Sequence, residues 1–139
     1  MKPIVFLDSS VVIASVGSQT GASRAIFDAS RDKKIICLSS EAVIEEIEPR
    51  LYKVNKLLSE VLDLIHLSGI LTLPYPDNQG IEKYKKIVTD PKDAHVFASS
   101  ADIPHCVLVS LDKKHILSLS TKMKHPKIMS PAEFLPSLL

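Results

Sequence analysis

The sequence predicts a three-layer α/β/α fold with a central parallel β-sheet of four or five strands. Short apolar runs alternate with longer segments of helical spacing along the 139 residues. The first run, residues 3–7, contains no polar residue, which is typical of a strand that is buried on both faces. Strands that alternate with helices form right-handed crossovers, and these produce a parallel sheet with helices on both sides.

Composition and charge limit the class of protein. At 15.3 kDa, with 45% hydrophobic and 24% charged residues, the chain is expected to form one globular domain over residues 1–139. Its net charge of +1 gives no overall attraction for nucleic acid, so such a partner needs a local basic patch. No apolar run reaches the roughly 20 residues of a membrane helix, and Asp8 interrupts the first run too early for a signal peptide. We therefore expect no membrane association and a cytoplasmic location, with Cys37 and Cys106 as buried free thiols.

The first half of the chain predicts two strands and three helices. A short helix is expected over residues 11–16, directly after the first strand, and the apolar spacing of residues 22–31 predicts a second helix. Residues 35–38 form the second predicted strand. Ser40 is in position to cap the third helix, which Pro49 is expected to kink or end.

The second half of the chain continues this alternation. An apolar stripe in residues 53–67 predicts an amphipathic helix that stops at Gly69. Ser130 followed by Pro131 predicts the start of a last helix. The other predicted elements are strands at residues 70–73, 106–110 and 127–129 and helices at residues 81–88 and 93–101.

Several acidic residues fall at the ends of predicted elements. Asp8 and Asp112 each follow a strand, Asp93 opens a helix, and Glu45 and Glu46 lie on the helix after the second strand. Each acid alone has a structural explanation as a helix cap, a turn residue or a solvated charge. Because the carboxyl ends of parallel strands share one edge of the sheet, we expect these side chains to converge there. Crowded carboxylates repel one another, and oxygen ligands of this kind favour one or two Mg²⁺ or Mn²⁺ ions.

The order and spacing of these motifs resemble the PIN domain over essentially the whole chain. This is a family of metal-dependent ribonucleases that includes the toxins of VapBC-type toxin–antitoxin pairs. The apolar strand leading into Asp8-Ser9-Ser10 is the first matching motif. The others are residues 40–47 (SEAVIEEI), 90–96 (DPKDAHV), 107–112 (VLVSLD) and 128–135 (IMSPAEFL).

The resemblance implies a metal-dependent endoribonuclease that hydrolyses RNA, with Asp8, Glu46, Asp93 and Asp112 as catalytic and metal-binding residues. Glu46 is preferred to Glu45 because the acid of the family is usually followed by an apolar residue, here Ile47. The resemblance also implies that Ser110 hydrogen-bonds a ligand carboxylate or a metal-bound water. Leu111 departs from the glycine often found before the last acid of the family.

Two alternatives to the nuclease remain open. The first is a non-catalytic RNA- or protein-binding module on the same fold. The second is a receiver-like phosphoacceptor, which we rank lower because Asp8 has no acidic neighbour.

His95 and His115 are expected to be packing or surface residues more often than site residues.

Two surfaces are candidates for partners. A basic group that follows Asp112 is a candidate clamp for the backbone of single-stranded RNA. The helices between residues 42 and 67 have a long apolar stripe, which we expect to bind an antitoxin protein or a second copy of the chain in a homodimer. The members of the basic group are Lys113, Lys114, Lys122, Lys124, His125 and Lys127.

Overall fold

A computed structural model describes residues 1–139, and its centre is a sheet of five parallel strands in the order β3-β2-β1-β4-β5. This confirms the predicted α/β fold with a central parallel sheet. The order also argues against the receiver-like alternative, because receiver domains have the order 2-1-3-4-5. The strands are β1 (Ile4–Leu7), β2 (Ile36–Ser40), β3 (Leu71–Leu73), β4 (Cys106–Val109) and β5 (Lys127–Met129).

The chain reverses its direction across the sheet between β3 and β4. Strands β2 and β3 lie on one side of β1, and strands β4 and β5 lie on its other side. The carboxyl ends of β1 and β4 therefore lie on the two sides of a topological switch point, where open α/β sheets form their ligand crevices. Asp8 follows β1 directly and Asp112 lies three residues past β4, so the strand order brings these two acids to the same carboxyl edge of the sheet.

Helices cover both faces of the sheet. Helices α1, α2, α3 and α7 form one contiguous group, since α1 contacts α2 and α3, and α2 contacts α7. Helices α5 and α6 pack against each other, and right-handed crossovers place them on the opposite face once the strand order reverses. The helices are α1 (Ser9–Gly17), α2 (Ala22–Arg31), α3 (Glu41–Ile47), α4 (Leu58–Leu67), α5 (Asn78–Lys85), α6 (Ala94–Ser100) and α7 (Pro131–Phe134).

A single hydrophobic cluster lies between these layers. Phe6 of β1, Phe27 of α2, Phe97 of α6 and Phe134 of α7 are all fully buried in it. These side chains join both helical layers to the central strand, and burial of apolar surface throughout the cluster is a main favourable contribution to folding. The cysteines of β2 and β4 are buried and free, as the sequence predicts.

The prediction of one helix over residues 53–67 is wrong at its start. Residues 48–53 continue from α3 as a 3-10 helix, Asn55 has a left-handed backbone with φ +52°, and α4 begins only at Leu58. The Glu60 side chain accepts a hydrogen bond of 2.7 Å from the Leu57 N–H, which fixes the start of α4 at that point. Leu57 of the predicted apolar stripe therefore lies outside α4 and is 69% exposed, and Leu62 of the same stripe is 41% exposed.

Other boundaries shift for similar local reasons. The helix predicted over residues 81–88 begins at Asn78, because Asp77 caps it through a 2.7 Å bond from the Gly80 N–H. Strand β2 extends to Ser40, which also caps α3 as predicted. Gly69 ends α4 with φ +68°, a conformation that glycine adopts without steric cost.

No helix has the length and apolar character needed to cross a membrane.

Candidate metal centre

A cleft of about 620 Å³ opens at the carboxyl edge of the sheet, beside the switch point. All four acids selected from the sequence, Asp8, Glu46, Asp93 and Asp112, line it, although they are far apart along the chain. The cleft also contains charged or titratable side chains that the sequence did not assign to the site: Glu45, Arg50, Asp90, Lys92, His95 and His115.

Asp8 is the most buried acid of the cleft, and its carboxylate accepts three hydrogen bonds. It is 3% exposed, and its Oδ1 accepts hydrogen bonds from Ser10 Oγ at 2.6 Å and from the Val11 N–H at 3.2 Å. Its Oδ2 accepts a bond of 2.6 Å from Ser110 Oγ. Burial raises the pKa of the Asp8 carboxyl, while these hydrogen bonds oppose the rise. Asp8 is therefore both the cap of α1 and a cleft residue, so the two explanations given by the sequence are compatible.

The two serines that hold Asp8 also hold the turn after β4. Ser110 Oγ accepts a bond of 3.0 Å from the Asp112 N–H, and Ser10 Oγ accepts one of 3.0 Å from the Leu111 N–H. Each hydroxyl thus links the end of β1 to the segment that carries Asp112. Leu111 does not have a positive φ, so the turn does not require the glycine often found there in the family.

Glu46 and Glu45 both line the cleft from α3, but they differ in their contacts. Glu45 is exposed and makes no hydrogen bond, whereas the Glu46 side chain is 26% exposed and bonds through Oε1 to His95 Nε2 on α6. The choice of Glu46 as the ligand stays a prediction, which this contact supports. His95, for which the sequence favoured a packing or surface position, lines the cleft, and its ring contacts this acid.

Asp93 and Asp112 have different surroundings at the α6 side of the cleft. Asp112 accepts a bond of 2.9 Å from the His115 N–H, and its Oδ2 lies 3.3 Å from His115 Nδ1. Asp93 makes no side-chain hydrogen bond, and its Oδ2 is buried without a partner. Burial is the main cause that raises the pKa of Asp93 to about 6, and the nearby carboxylates of Asp90, Asp112, Glu46 and Asp8 contribute to this rise in that order of importance.

Asp90, Asp93 and His115 form a group that the sequence did not predict. Single ligand atoms from the three side chains all lie within 4.8 Å of one another. The spacing of Asp90 and Asp93, three residues apart across Pro91, was the only signal available in the sequence. No pattern linked either residue to His115, since their proximity depends on the packing of the turn after β4 against the start of α6.

The residues of the cleft fit a divalent cation. Six carboxylates line the same cleft, and one buried carboxylate oxygen of Asp93 has no donor within the protein. A cation would supply both the missing partner and the missing positive charge. Carboxylate oxygens suit Mg²⁺ and Mn²⁺, and the nearby imidazole of His115 is compatible with Mn²⁺.

We expect the Asp93→Asn substitution to stabilise the metal-free protein. Because the folded pKa of about 6 exceeds the ordinary value of 3.8 for an aspartate, ionised Asp93 destabilises the fold, fully so at pH 7.5 and hardly at all at pH 4. A shift of that size corresponds to ~3 kcal/mol, which we reduce to ~1–2 kcal/mol because the side chain is partly solvated. Urea unfolding in EDTA at the two pH values measures this gain, with Asp63→Asn on the exposed side of α4 as the control. A loss of stability at pH 7.5 would contradict the electrostatic account.

The comparisons with known proteins concern the family and the fold of the chain. A family model described as PIN domain matches residues 4–114. No curated protein sequence matches the chain.

Solved structures with a similar fold include two bacterial proteins. VapBC2 from Rickettsia felis, bound to a DNA fragment from its promoter, aligns with a TM-score of 0.63 and 13% identity over 91% of this chain and 98% of that chain. VapC20 from Mycobacterium tuberculosis, a toxin that cleaves the sarcin–ricin loop, aligns with a TM-score of 0.49 and 13% identity over 68% and 79% of the two chains. At this identity the first alignment is evidence of a shared fold. Since the family model covers most of the sequence, the chain belongs to the PIN domain family.

Proposed function

We propose that the protein is an endoribonuclease that requires Mg²⁺ or Mn²⁺ and hydrolyses phosphodiester bonds of RNA. The observation that carries this proposal is the convergence of Asp8, Glu46, Asp93 and Asp112 in one cleft at the switch point. Membership of the PIN family supports it, because the family consists typically of nucleases. The four carboxylates are the proposed metal ligands.

The side chains of the cleft have separate roles in this proposal. The four carboxylates would hold a divalent ion, which would supply a water of lowered pKa and offset the negative charge of the phosphodiester. Asp8, fixed by two serine hydroxyls, is the rigid ligand of the set. Asp93 has an oxygen without a protein donor, so its carboxylate is the one that we assign to orient the attacking water. Arg50 and Lys92 lie on the cleft wall, where their charges can contact substrate phosphates.

Removal of the metal or of Asp8 should abolish cleavage of labelled single-stranded RNA. We expect EDTA to stop the reaction and Mn²⁺ to restore it, and we expect Asp8→Asn to reduce the rate by about 100-fold or more. Gel or fluorescence assays measure both effects, with Asp63→Asn as a variant outside the cleft. Cleavage that survives both EDTA and Asp8→Asn would refute the mechanism. Retention of RNA without turnover by the unmodified protein would instead favour the non-catalytic binding module.

We further propose that the segment after Asp112 binds the RNA backbone. Residues 113–132 contain five lysines and no carboxylate, and all five lysines are exposed. Twelve of the 17 basic side chains and all 16 acidic ones lie in the rest of the chain. The near-neutral net charge therefore results from a basic segment and an acidic remainder. This segment directly follows Asp112 of the cleft, and its last lysine, Lys127, lies on β5 and pairs with Val107 two residues before the carboxyl end of β4.

Reversal of three charges in this segment should weaken RNA binding and reduce its salt dependence. We expect Lys122→Glu, Lys124→Glu and Lys127→Glu together to lower the affinity for a labelled 12-nucleotide poly(U) by about 10-fold or more. The slope of log affinity against log salt should fall by about 2, which is ~0.7 for each lost phosphate contact. Fluorescence anisotropy in the Asp8→Asn background measures binding without cleavage. An equal loss in the control triple Lys33→Glu, Lys34→Glu and Lys56→Glu would contradict the assignment.

A protein partner is the last part of the proposal. Tyr52, in the 3-10 helix before α4, is 76% exposed. Leu57 and Leu67, at the start and the end of α4, are 69% and 71% exposed. Exposed apolar groups of this size are typical of an interface, so we propose that an antitoxin protein or a second copy of the chain covers them.

Light scattering at several concentrations distinguishes the two occupants. A homodimer predicts that the measured mass rises from 15.3 kDa towards twice that value with concentration. Leu57→Glu together with Leu67→Glu should hold the mass at the monomer value, because the two charges would be buried without partners. A constant monomer mass for the unmodified chain would exclude the second copy.

A further inference from the structure

His95 connects the two sides of the cleft, and the proposed function gives it no role. It lies on α6, its side chain is 13% exposed, and its Nε2 hydrogen-bonds Oε1 of Glu46 on α3. The helices α3 and α6 belong to opposite layers of the fold. The contact therefore joins side chains from two layers at the carboxyl edge of the sheet.

Glu46 has no other hydrogen-bond partner in the structure. The other proposed ligands with partners are shorter acids held close to the backbone. Asp8 is held by Ser10 and Ser110, and Asp112 is held by the N–H and the ring of His115. A glutamate has one more rotatable bond than an aspartate, so fixing its carboxylate costs more conformational entropy. His95 is the one residue that fixes the Glu46 carboxylate through a hydrogen bond.

The second nitrogen of the His95 ring shows that this contact does not belong to a fully hydrogen-bonded network in the core. Its Nδ1 is buried and has no hydrogen-bond partner. A buried ring nitrogen without a partner lowers the stability of the fold. The ring also has no free nitrogen to offer a metal, because Nε2 is occupied by Glu46 and Nδ1 is enclosed by protein.

We infer that His95 is a positioning residue, which donates from Nε2 to hold the Glu46 carboxylate in the geometry that binds the metal. The inference rests on the proposed metal site and adds a residue outside its four acids. Outer partners of metal-binding carboxylates typically contribute 10- to 100-fold to metal affinity. His95 is therefore expected to act on the metal only through Glu46.

A double-mutant cycle on Mn²⁺ affinity tests this coupling. The variants are Glu46→Gln, His95→Phe and the combination of both, with His66→Phe at the exposed end of α4 as a matched control. Calorimetry or the electron paramagnetic resonance of free Mn²⁺ gives the affinities without any activity assay. We expect each single variant to weaken Mn²⁺ binding by about 10- to 100-fold. The double variant should be no weaker than Glu46→Gln alone, and His66→Phe should bind like the unmodified protein.

Two further measurements separate positioning from a structural role. Phenylalanine keeps a planar aromatic ring and removes both nitrogens, including the buried Nδ1 without a partner, so His95→Phe should unfold at the same urea concentration as the unmodified protein or at a higher one. His95→Gln places an amide N–H where Nε2 lies, and we expect it to restore at least half of the lost affinity on a logarithmic scale. If His95→Phe does not fold, the result with His95→Gln decides: near-normal affinity supports the inference and a full loss overturns it.

The outcomes distinguish this inference from the proposed function. Normal Mn²⁺ affinity in His95→Phe, with reduced affinity in Glu46→Gln, would overturn the role of His95 and leave the metal site intact. Losses that multiply in the double variant would show that the two residues act independently and would also overturn it. Failure of the folded, unmodified protein to bind Mn²⁺ would overturn both, and this result is visible before any His95 variant is made.

Discussion

The structure of the cleft depends on one constraint, the mutual repulsion of carboxylates that the fold brings together. Asp8 and Asp112 follow the two strands on either side of the switch point, and Glu46 and Asp93 approach from helices of opposite layers. The pKa of Asp93 is raised to about 6 first by burial and then by four other acids, so the convergence contributes to this shift. Without a compensating cation such an arrangement destabilises the fold, which is why its presence points to a function.

Hydrogen bonds from serines make this arrangement rigid. Ser110 is fully buried and bonds both Asp8 and the backbone of Asp112, and Ser10 bonds Asp8 and the backbone of Leu111. The two hydroxyls thus fix the spacing between the ends of β1 and β4 on the cleft side. Asp93 is the exception, because its carboxylate has no donor in the protein. A rigid set of acids with one free oxygen is suited to receive an ion from solution.

Much of the fold could be predicted because the signals are local. The apolar run of β1, the helical spacing of α2 and the Ser130-Pro131 start of α7 depend on neighbouring residues alone. The resemblance to the PIN domain selected the four acids, and parallel-strand topology explains why they meet. The start of α4 was not predictable from its apolar stripe, because the left-handed Asn55 and the bond from the Leu57 N–H to Glu60 interrupt the pattern.

The contacts between side chains of different layers could not be predicted from the sequence. His95 and Glu46 are 49 residues apart, and no spacing rule joins α3 to α6. The proximity of His115 to Asp90 and Asp93 likewise depends on how the turn after β4 packs.

The central claim is that the converged acids form one divalent-metal site. A crystal of the protein soaked in Mn²⁺, with anomalous diffraction recorded at the manganese edge, tests it most directly. The account predicts an anomalous peak in the cleft with oxygens of Asp8, Asp93 and Asp112 at about 2.1–2.3 Å. A cleft without any peak at millimolar Mn²⁺, or a peak bound only by Asp90 and His115 and remote from Asp8, would contradict it.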